Sequence, residues 1–243
     1  MRVNRVFVDL SLATGTPIEL CGETAHYIGT VLRLRDGATL HLFDGSGGCW
    51  LARVQASAHG AVTVEPIEFL PEERESRLSV TLAQGVARGQ HMDYTVQKAV
   101  ELGVQRIVPL LTEHGNVRLN EARSAHRMQH WRKIIVGACE QCGRNRIPEL
   151  LPPVSFREWL ARDESPLRLA LHPRGDCALN GLTGARAGVT ILSGPEGGLA
   201  EAEYEAALRS AYVGIRLGPR VLRTDTAALA ALAACQSLWG DLR

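Results

Sequence analysis

The distribution of apolar residues changes character near residue 78 of this 243-residue chain. Before that point, short runs of β-prone residues occur at 3–8, 38–43, 49–54 and 62–69. Residues typical of turns lie between the last three runs, where hairpin connections are expected, and one helix is predicted at 23–32. This part of the chain therefore predicts a small antiparallel sheet or barrel.

After residue 78 the pattern alternates between strands and helices. The predicted strands are 78–83, 106–111, 167–171, 189–192 and 213–217, and the predicted helices are 90–102, 124–143, 200–211 and 224–238. Ser155 and Glu158 have the spacing of a capping box, which predicts a further short helix. Strands separated by helices indicate an α/β domain, with a mostly parallel sheet and helices on both faces.

The segment 71–77 begins with proline, is rich in charge and has almost no apolar side chains. Such segments are typical of domain boundaries because they contribute little to a core. We therefore predict one domain at 1–70, a linker at 71–77 and a second domain at 78–243.

Charge and cysteine content narrow the classes of function. The net charge of +1 argues against sequence-blind binding to polyanions, although the segment 114–148 carries seven basic side chains against two acidic ones. That segment is either a solvated helix face or a nucleic-acid surface. Six scattered cysteines are expected to be thiols, and Cys139 and Cys142 lack the second ligand pair that a zinc site needs, so no metal is expected.

The longest unbroken apolar run, 227–235, has nine residues. A membrane-spanning helix needs roughly 18 to 20, so none is expected. The N-terminal residues lack an apolar core followed by a small-residue cleavage site. We therefore expect a cytoplasmic protein.

Three loops follow predicted strands at the carboxyl ends where open α/β sheets bind ligands. They span 171–175, 193–198 and 217–224. The middle loop has three glycines and a proline within five residues and precedes a helix, so its backbone is able to approach a ligand closely. It matches neither a P-loop nor a dinucleotide-binding motif. Taken alone, it also fits a tight turn that leads into a helix.

Considered together, these loops resemble the signatures of a known family. GPEGG at 194–198 and LGPRVLRTDTA at 217–227 are similar to the GPEGG and LG-x-R-I-L-R-x-E-T-A motifs of the RsmE family. EQCGR at 140–144, RVF at 5–7 and HYIGTVLR at 26–33 also resemble that family, so the likeness spans essentially the whole chain. Val221 replaces isoleucine, and Asp225 replaces a glutamate that is longer by one methylene.

The resemblance implies an S-adenosyl-L-methionine-dependent methyltransferase of the SPOUT class that acts on N3 of a uridine in small-subunit (16S) ribosomal RNA. It also implies a C-terminal α/β sheet with a trefoil knot, a PUA-like N-terminal β-barrel that binds RNA, and a homodimer. The expected partners are ribosomal RNA and the small ribosomal subunit.

By the same resemblance, the cofactor lies among the three loops. The expected cofactor-binding residues are Leu171, His172, Pro173, Ser193, Gly194, Pro195, Glu196, Gly197, Gly198, Leu217, Gly218, Val221, Leu222 and Thr226. For Thr226, a helix-capping role fits equally well. Arg223 is a candidate for stabilising charge on a uracil oxygen, and Glu196 for accepting a proton. The alternatives are an ion pair for Arg223 and a bracing role for Glu196.

Candidate RNA-binding residues are Arg5, Arg33, Arg35, Arg144 and Arg146, with surface salt bridges as the alternative. The histidines at 91, 114, 126 and 130 are interpreted as solvent or core residues. Two other functions stay open, a 2′-O-ribose RNA methyltransferase and a non-catalytic RNA-binding factor in ribosome assembly.

Overall fold

The computed structural model describes residues 3–58, 60–115, 121–183 and 188–242. The chain divides into two compact units. The first comprises Met1–Glu75 together with Cys139–Ile147, and the second comprises Ser76–Ala138 and Pro148–Arg243. In the described part of the chain, no helix is long and apolar enough to cross a membrane.

The first unit is a five-stranded sheet with the order β1-β3-β4-β5-β2. Its strands are β1 (Arg5–Phe7), β2 (Ile18–Leu20), β3 (Thr39–Phe43), β4 (Cys49–Ala58) and β5 (Ala61–Leu70). A short helix α1 (Gly22–His26) continues into a π-helical turn (Tyr27–Val31), close to the predicted helix. The side chains of Ile28, Leu40, Leu42 and Val64 lie fully buried in the core of this unit.

Two features of this sheet differ from the prediction. β1 pairs with β3 in parallel, whereas the other pairs are antiparallel. β2 was not predicted, because three residues are too few to establish an alternating pattern. The β4–β5 ladder also shifts register twice, and such irregularities bend and twist a sheet.

The segment Cys139–Ile147 belongs to the first unit although it lies far along the chain. The Oε1 atom of Glu140 accepts a hydrogen bond from the Phe7 amide at 3.0 Å. The Nη2 atom of Arg5 donates to the Arg144 carbonyl at 3.0 Å and to Oδ1 of Asn145 at 2.6 Å. The EQCGR motif therefore holds this segment against β1.

The second unit is a parallel sheet with the order β12-β10-β11-β6-β7-β8, and β9 also pairs with β7. Its strands are β6 (Val80–Gly85), β7 (Arg106–Leu111), β8 (Glu149–Leu150), β9 (Val154–Ser155), β10 (Leu167–Leu171), β11 (Val189–Ser193) and β12 (Val213–Ile215). Every residue of β6 and β11 is buried, so both faces of the sheet are covered. The predicted parallel α/β sheet is confirmed.

The helices of this unit are α2 (Gln90–Glu101), α3 (Glu121–Cys142), α4 (Phe156–Arg162), α5 (Glu201–Arg209) and α6 (Thr224–Trp239). The last turn of α3 belongs to the first unit. The predicted capping box begins α4, where the Glu158 amide donates to Oγ of Ser155 and the Ser155 amide donates to the Glu158 carboxylate, each at 3.2 Å. Phe156 of α4 and Tyr204 of α5 pack in one cluster with Ala83, Ala170 and Leu192 of the sheet.

Candidate functional site

The carboxyl ends of β10, β11 and β12 open onto one cavity of about 480 Å³, which is within the usual size range of small-molecule sites. All three loops selected from the sequence line it. The predicted residues that line the cavity are Leu171, His172, Pro173, Ser193, Gly194, Pro195, Glu196, Gly197, Gly198, Leu217, Gly218, Val221, Leu222 and Arg223. Thr226 is not among the lining residues. Its amide instead donates to Oδ1 of Asp225 at 2.8 Å.

The glycine loop is closely packed against itself and against the end of β6. A Cβ atom on Gly194 would lie 2.7 Å from the backbone of Gly198 and Leu199, and one on Gly85 would lie 2.6 Å from Pro195. A side chain at either position would have to displace the neighbouring backbone, so only glycine fits there. Gly198 has a φ of +72°, and its amide donates to the Pro195 carbonyl at 2.8 Å.

A buried network joins this loop to the beginning of α6. The Gln84 amide group donates to the Gly194 carbonyl and to Oγ1 of Thr224, each at 3.0 Å. The Thr224 hydroxyl also donates to the Gly194 carbonyl, at 2.5 Å. Neither Gln84 nor Thr224 was predicted as a site residue, although Thr224 ends the predicted loop 217–224. Gln84 is 110 positions from Gly194 and 140 from Thr224, so no local spacing reveals this network.

The cavity walls suit a ligand with both apolar and hydrogen-bonding parts. Leu171, Leu217 and Leu222 contribute apolar surface beside the backbone groups of the glycine loop. The side chain of Val221 is 79% exposed although it lines the cavity. A ligand that covers Val221 gains apolar contact there, because an exposed branched side chain is stabilised by burial.

The two predicted catalytic residues occupy different environments in the cavity. The Oε1 atom of Glu196 accepts a hydrogen bond from the Arg88 amide at 2.7 Å, which ties the glycine loop to the segment before α2. Arg223 precedes the first turn of α6. No ion-pair partner of Arg223 is found among the residues that the structure describes.

Among the described residues, two histidines line the cavity, the predicted His172 and a second one, His91, that was not predicted there. The ring of His172 stacks on Tyr204 with centroids 4.0 Å apart, and its Nδ1 atom accepts from the Arg174 amide at 3.2 Å. Burial, with a contribution from the Arg174 charge, lowers the pKa of His172. His91, at the start of α2, lines the cavity from another side.

The Nδ1 atom of His91 lies 3.0 Å from Oδ2 of Asp225. Partial burial acts to raise the pKa of Asp225, but hydrogen bonds from His91 and from the Thr226 amide outweigh it and hold that pKa below its usual value. His91 was interpreted as a solvent or core residue. The two partners are 134 positions apart, so no local spacing reveals the pair.

The five candidate RNA-binding arginines separate into two groups. Arg33, Arg35 and Arg146 are exposed, and Nε of Arg146 lies 3.4 Å from the Glu73 carboxylate. Arg144 is 4% exposed, and its Nε atom donates to the Glu75 carboxylate at 3.0 Å. Arg5 is half-buried and engaged with the segment 139–147. Two of the five are therefore already committed to contacts within the first unit.

Cys139 and Cys142, which have the spacing of metal ligands, lie on the last turns of α3. Burial raises the pKa of Cys139 to about 12, so its thiol is protonated at neutral pH. Its Sγ atom donates to the Arg146 carbonyl. Across 3–58, 60–115, 121–183 and 188–242, no group of three metal-ligating side chains is found.

Comparison with protein families gives two matches along the chain. Residues 74–236 match the model of an RNA methyltransferase domain. Residues 20–67 match the model of an RNA methyltransferase PUA domain. The expected α/β methyltransferase domain, preceded by a PUA-like domain, is therefore confirmed.

Individual relatives extend over the whole chain. A protein from Legionella pneumophila, solved in complex with the bound cofactor SAM, is 37% identical with a TM-score of 0.97, and all of both chains is covered. The ribosomal RNA small subunit methyltransferase E of Neisseria gonorrhoeae, solved with S-adenosylmethionine, is 34% identical with a TM-score of 0.93, again over all of both chains. The protein of the same name from Buchnera aphidicola subsp. Schizaphis graminum is 31% identical over 99% of this chain and 98% of the Buchnera chain. The protein therefore belongs to the ribosomal RNA small subunit methyltransferase E (RsmE) family of RNA methyltransferases.

Proposed function

We propose that this protein transfers a methyl group from S-adenosyl-L-methionine to N3 of a uridine in 16S ribosomal RNA. The observation that carries the proposal is the convergence of three loops, from distant parts of the sequence, around one cavity. The relatives from Legionella pneumophila and Neisseria gonorrhoeae, which hold S-adenosylmethionine in their structures, support the choice of cofactor.

The residues of the cavity fit this cofactor. In this proposal, backbone groups of 217–218 and 222, which line the cavity, hydrogen-bond the adenine, and Leu171 and Val221 supply apolar surface for it. The close-packed loop 194–198 supports the opposite side. When bound, the cofactor supplies a methyl group on a positively charged sulfur. The chain itself mainly positions the reactants and excludes water.

The target nitrogen imposes two requirements. N3 of a paired uracil lies inside the duplex, so the base must be unpaired or extruded to enter the cavity. N3 also carries a proton, so charge develops on the uracil when that proton leaves. We assign to Arg223, which lines the cavity without an observed ion pair in the described structure, the stabilisation of the uracil oxygens. We assign to Glu196 the bracing of the loop through the Arg88 amide.

We propose that the domain 1–70, together with the segment 139–147 that joins it, binds the RNA. In this proposal 71–77 is the linker, and the rest of 78–243 is the catalytic domain. The exposed residues Arg33, Arg35 and Arg146 contact phosphates in this proposal. Arg5 supports that surface through its contact with the segment 139–147, and Arg144 supports it through its pair with Glu75. We further propose that the protein acts as a homodimer, in the cytoplasm where small subunits are assembled, and needs no metal. Sedimentation of the purified protein tests the dimer.

The function is tested by incubating the protein and labelled S-adenosylmethionine with unmodified 16S RNA and with small subunits. Digestion to nucleosides and mass spectrometry should then find 3-methyluridine. Methyl groups on ribose would instead support the 2′-O-methyltransferase. Failure to bind the cofactor at millimolar concentration in calorimetry would support an RNA-binding assembly factor without turnover.

A further inference from the structure

The proposed reaction requires a group that accepts the proton from uracil N3. Among the described residues that line the cavity, three side chains carry an atom that can act as a base, namely Glu196, His172 and His91. Their hydrogen bonds distinguish them from one another.

Glu196 and His172 are already engaged. The Oε1 atom of Glu196 accepts the Arg88 amide at 2.7 Å, so protonation of this carboxylate competes with the contact that holds the loop. The Nδ1 atom of His172 accepts the Arg174 amide at 3.2 Å. A neutral imidazole that accepts at Nδ1 carries its proton on Nε2, so His172 presents a donor at its second nitrogen.

His91 has the opposite arrangement. Its Nδ1 atom lies 3.0 Å from Oδ2 of Asp225, and an ionised carboxylate only accepts hydrogen bonds. The proton of a neutral His91 is therefore on Nδ1, and the lone pair is on Nε2. The carboxylate is itself held, because Oδ1 of Asp225 accepts the Thr226 amide at 2.8 Å. The His91 side chain remains 41% exposed, which leaves it accessible to a substrate.

We propose that His91 is the general base of the methyl transfer and that Asp225 is its positioning residue. The inference rests on the proposed function. In the reaction, the uracil N3–H bond breaks and its proton passes to Nε2 of His91. The electron pair left on N3 forms the new bond to the methyl carbon, and the pair of the broken S–C bond stays on sulfur. Asp225 stabilises the imidazolium that results.

The test compares three variants in single-turnover methylation of 16S RNA. His91→Gln should lower the rate by about 100-fold, a typical contribution of a general base. Asp225→Asn should give a smaller loss, because the base is present but wrongly oriented. His130→Gln is the matched control. It breaks a second histidine–carboxylate pair, in which Nε2 of His130 on α3 lies 2.9 Å from Asp93 on α2, and it should keep the wild-type rate.

Two readouts separate proton transfer from a structural role. With 5-fluorouridine at the target position, the N3–H group is more acidic, so a base is needed less. The ratio of the methylation rate of His91→Gln to that of the wild type should therefore rise at least about tenfold. In the protein without ligands, ¹⁵N NMR should find the His91 proton on Nδ1, and Asp225→Asn should shift it toward Nε2. Calorimetry should give cofactor and RNA affinities for His91→Gln close to those of the wild type.

Each contrary result has a distinct meaning. A wild-type rate in His91→Gln, or a loss that 5-fluorouridine does not relieve, would overturn the inference while leaving 3-methyluridine formation intact. A His91 proton on Nε2 in the wild-type protein would also overturn it. If the wild-type protein forms no 3-methyluridine, the proposed function fails and the inference fails with it.

Discussion

The glycine loop 194–198 and the segment 140–144 carry motifs of equal prominence in the sequence, but the structure uses them differently. The loop lines the cavity with backbone, and its only charged side chain, Glu196, braces a neighbouring turn. The segment uses its charged side chains inside the first unit, where Glu140 accepts the Phe7 amide and Arg144 pairs with Glu75. A motif therefore marks a constrained position without telling whether a ligand or the protein itself imposes the constraint.

The largest effect is expected from Arg144→Ala, because it tests the structural role of the segment. Removing a 4% exposed guanidinium leaves the Glu75 carboxylate without its partner. Loss of one member of a buried ion pair should reduce the free energy of unfolding by about 3 kcal/mol. Urea denaturation measures this loss of unfolding free energy, and calorimetry should find the cofactor affinity unchanged. A fully stable variant would show that the segment does not depend on this pair.

The next largest effect is expected on cofactor binding, from a substitution in the glycine loop 194–198. Gly194→Ala places a Cβ atom 2.7 Å from backbone of Gly198 and Leu199, so the loop must shift. Overpacking of this kind costs about 2 kcal/mol, which should weaken cofactor binding by about 30-fold in calorimetry. Gly137→Ala is the matched control, since nothing lies within 4 Å of its Cβ position on α3. Equal affinities in the two variants would contradict a close-packed ligand loop.

A smaller effect is expected from the exposed arginines of the first unit. The double variant Arg33→Ala with Arg35→Ala removes two candidate phosphate contacts. RNA affinity should fall by about tenfold, and the slope of log K against log salt should decrease by about 2. The control is Arg209→Ala, an exposed arginine of α5 that lies 3.4 Å from Glu205. An unchanged salt slope would remove this surface from the RNA-binding proposal.

The smallest effect is expected from Arg146, which lies two residues from Arg144 in the same segment. Arg146 is exposed and only 3.4 Å from the Glu73 carboxylate. Because exposed ion pairs contribute little, Arg146→Ala should change the free energy of unfolding by less than about 1 kcal/mol. In this variant, the slope of log K for RNA binding against log salt should decrease by about 1. A loss of stability as large as that of Arg144→Ala would mean that exposure does not distinguish the two arginines.

Most of the second unit was predictable, because the alternation of strands and helices is a local pattern. The three ligand loops followed from that alternation, since parallel strands bring their carboxyl ends to one edge. Three features were not predictable from local pattern. They are the parallel pairing of β1 with β3, the joining of Cys139–Ile147 to the first unit, and the contact between His91 and Asp225.

The sequence alone determined the class of the fold, the glycine positions and the family, because hydrophobic period and motif spacing are properties of neighbouring residues. Only the tertiary structure decided which charged side chains are free and which are committed. Arg144 and Arg146 are two positions apart, yet one is buried against Glu75 and the other is exposed. Likewise, His91 acquires a carboxylate partner only when α2 and α6 pack together. Burial and long-range pairing depend on the whole chain, so no local stretch of sequence contains them.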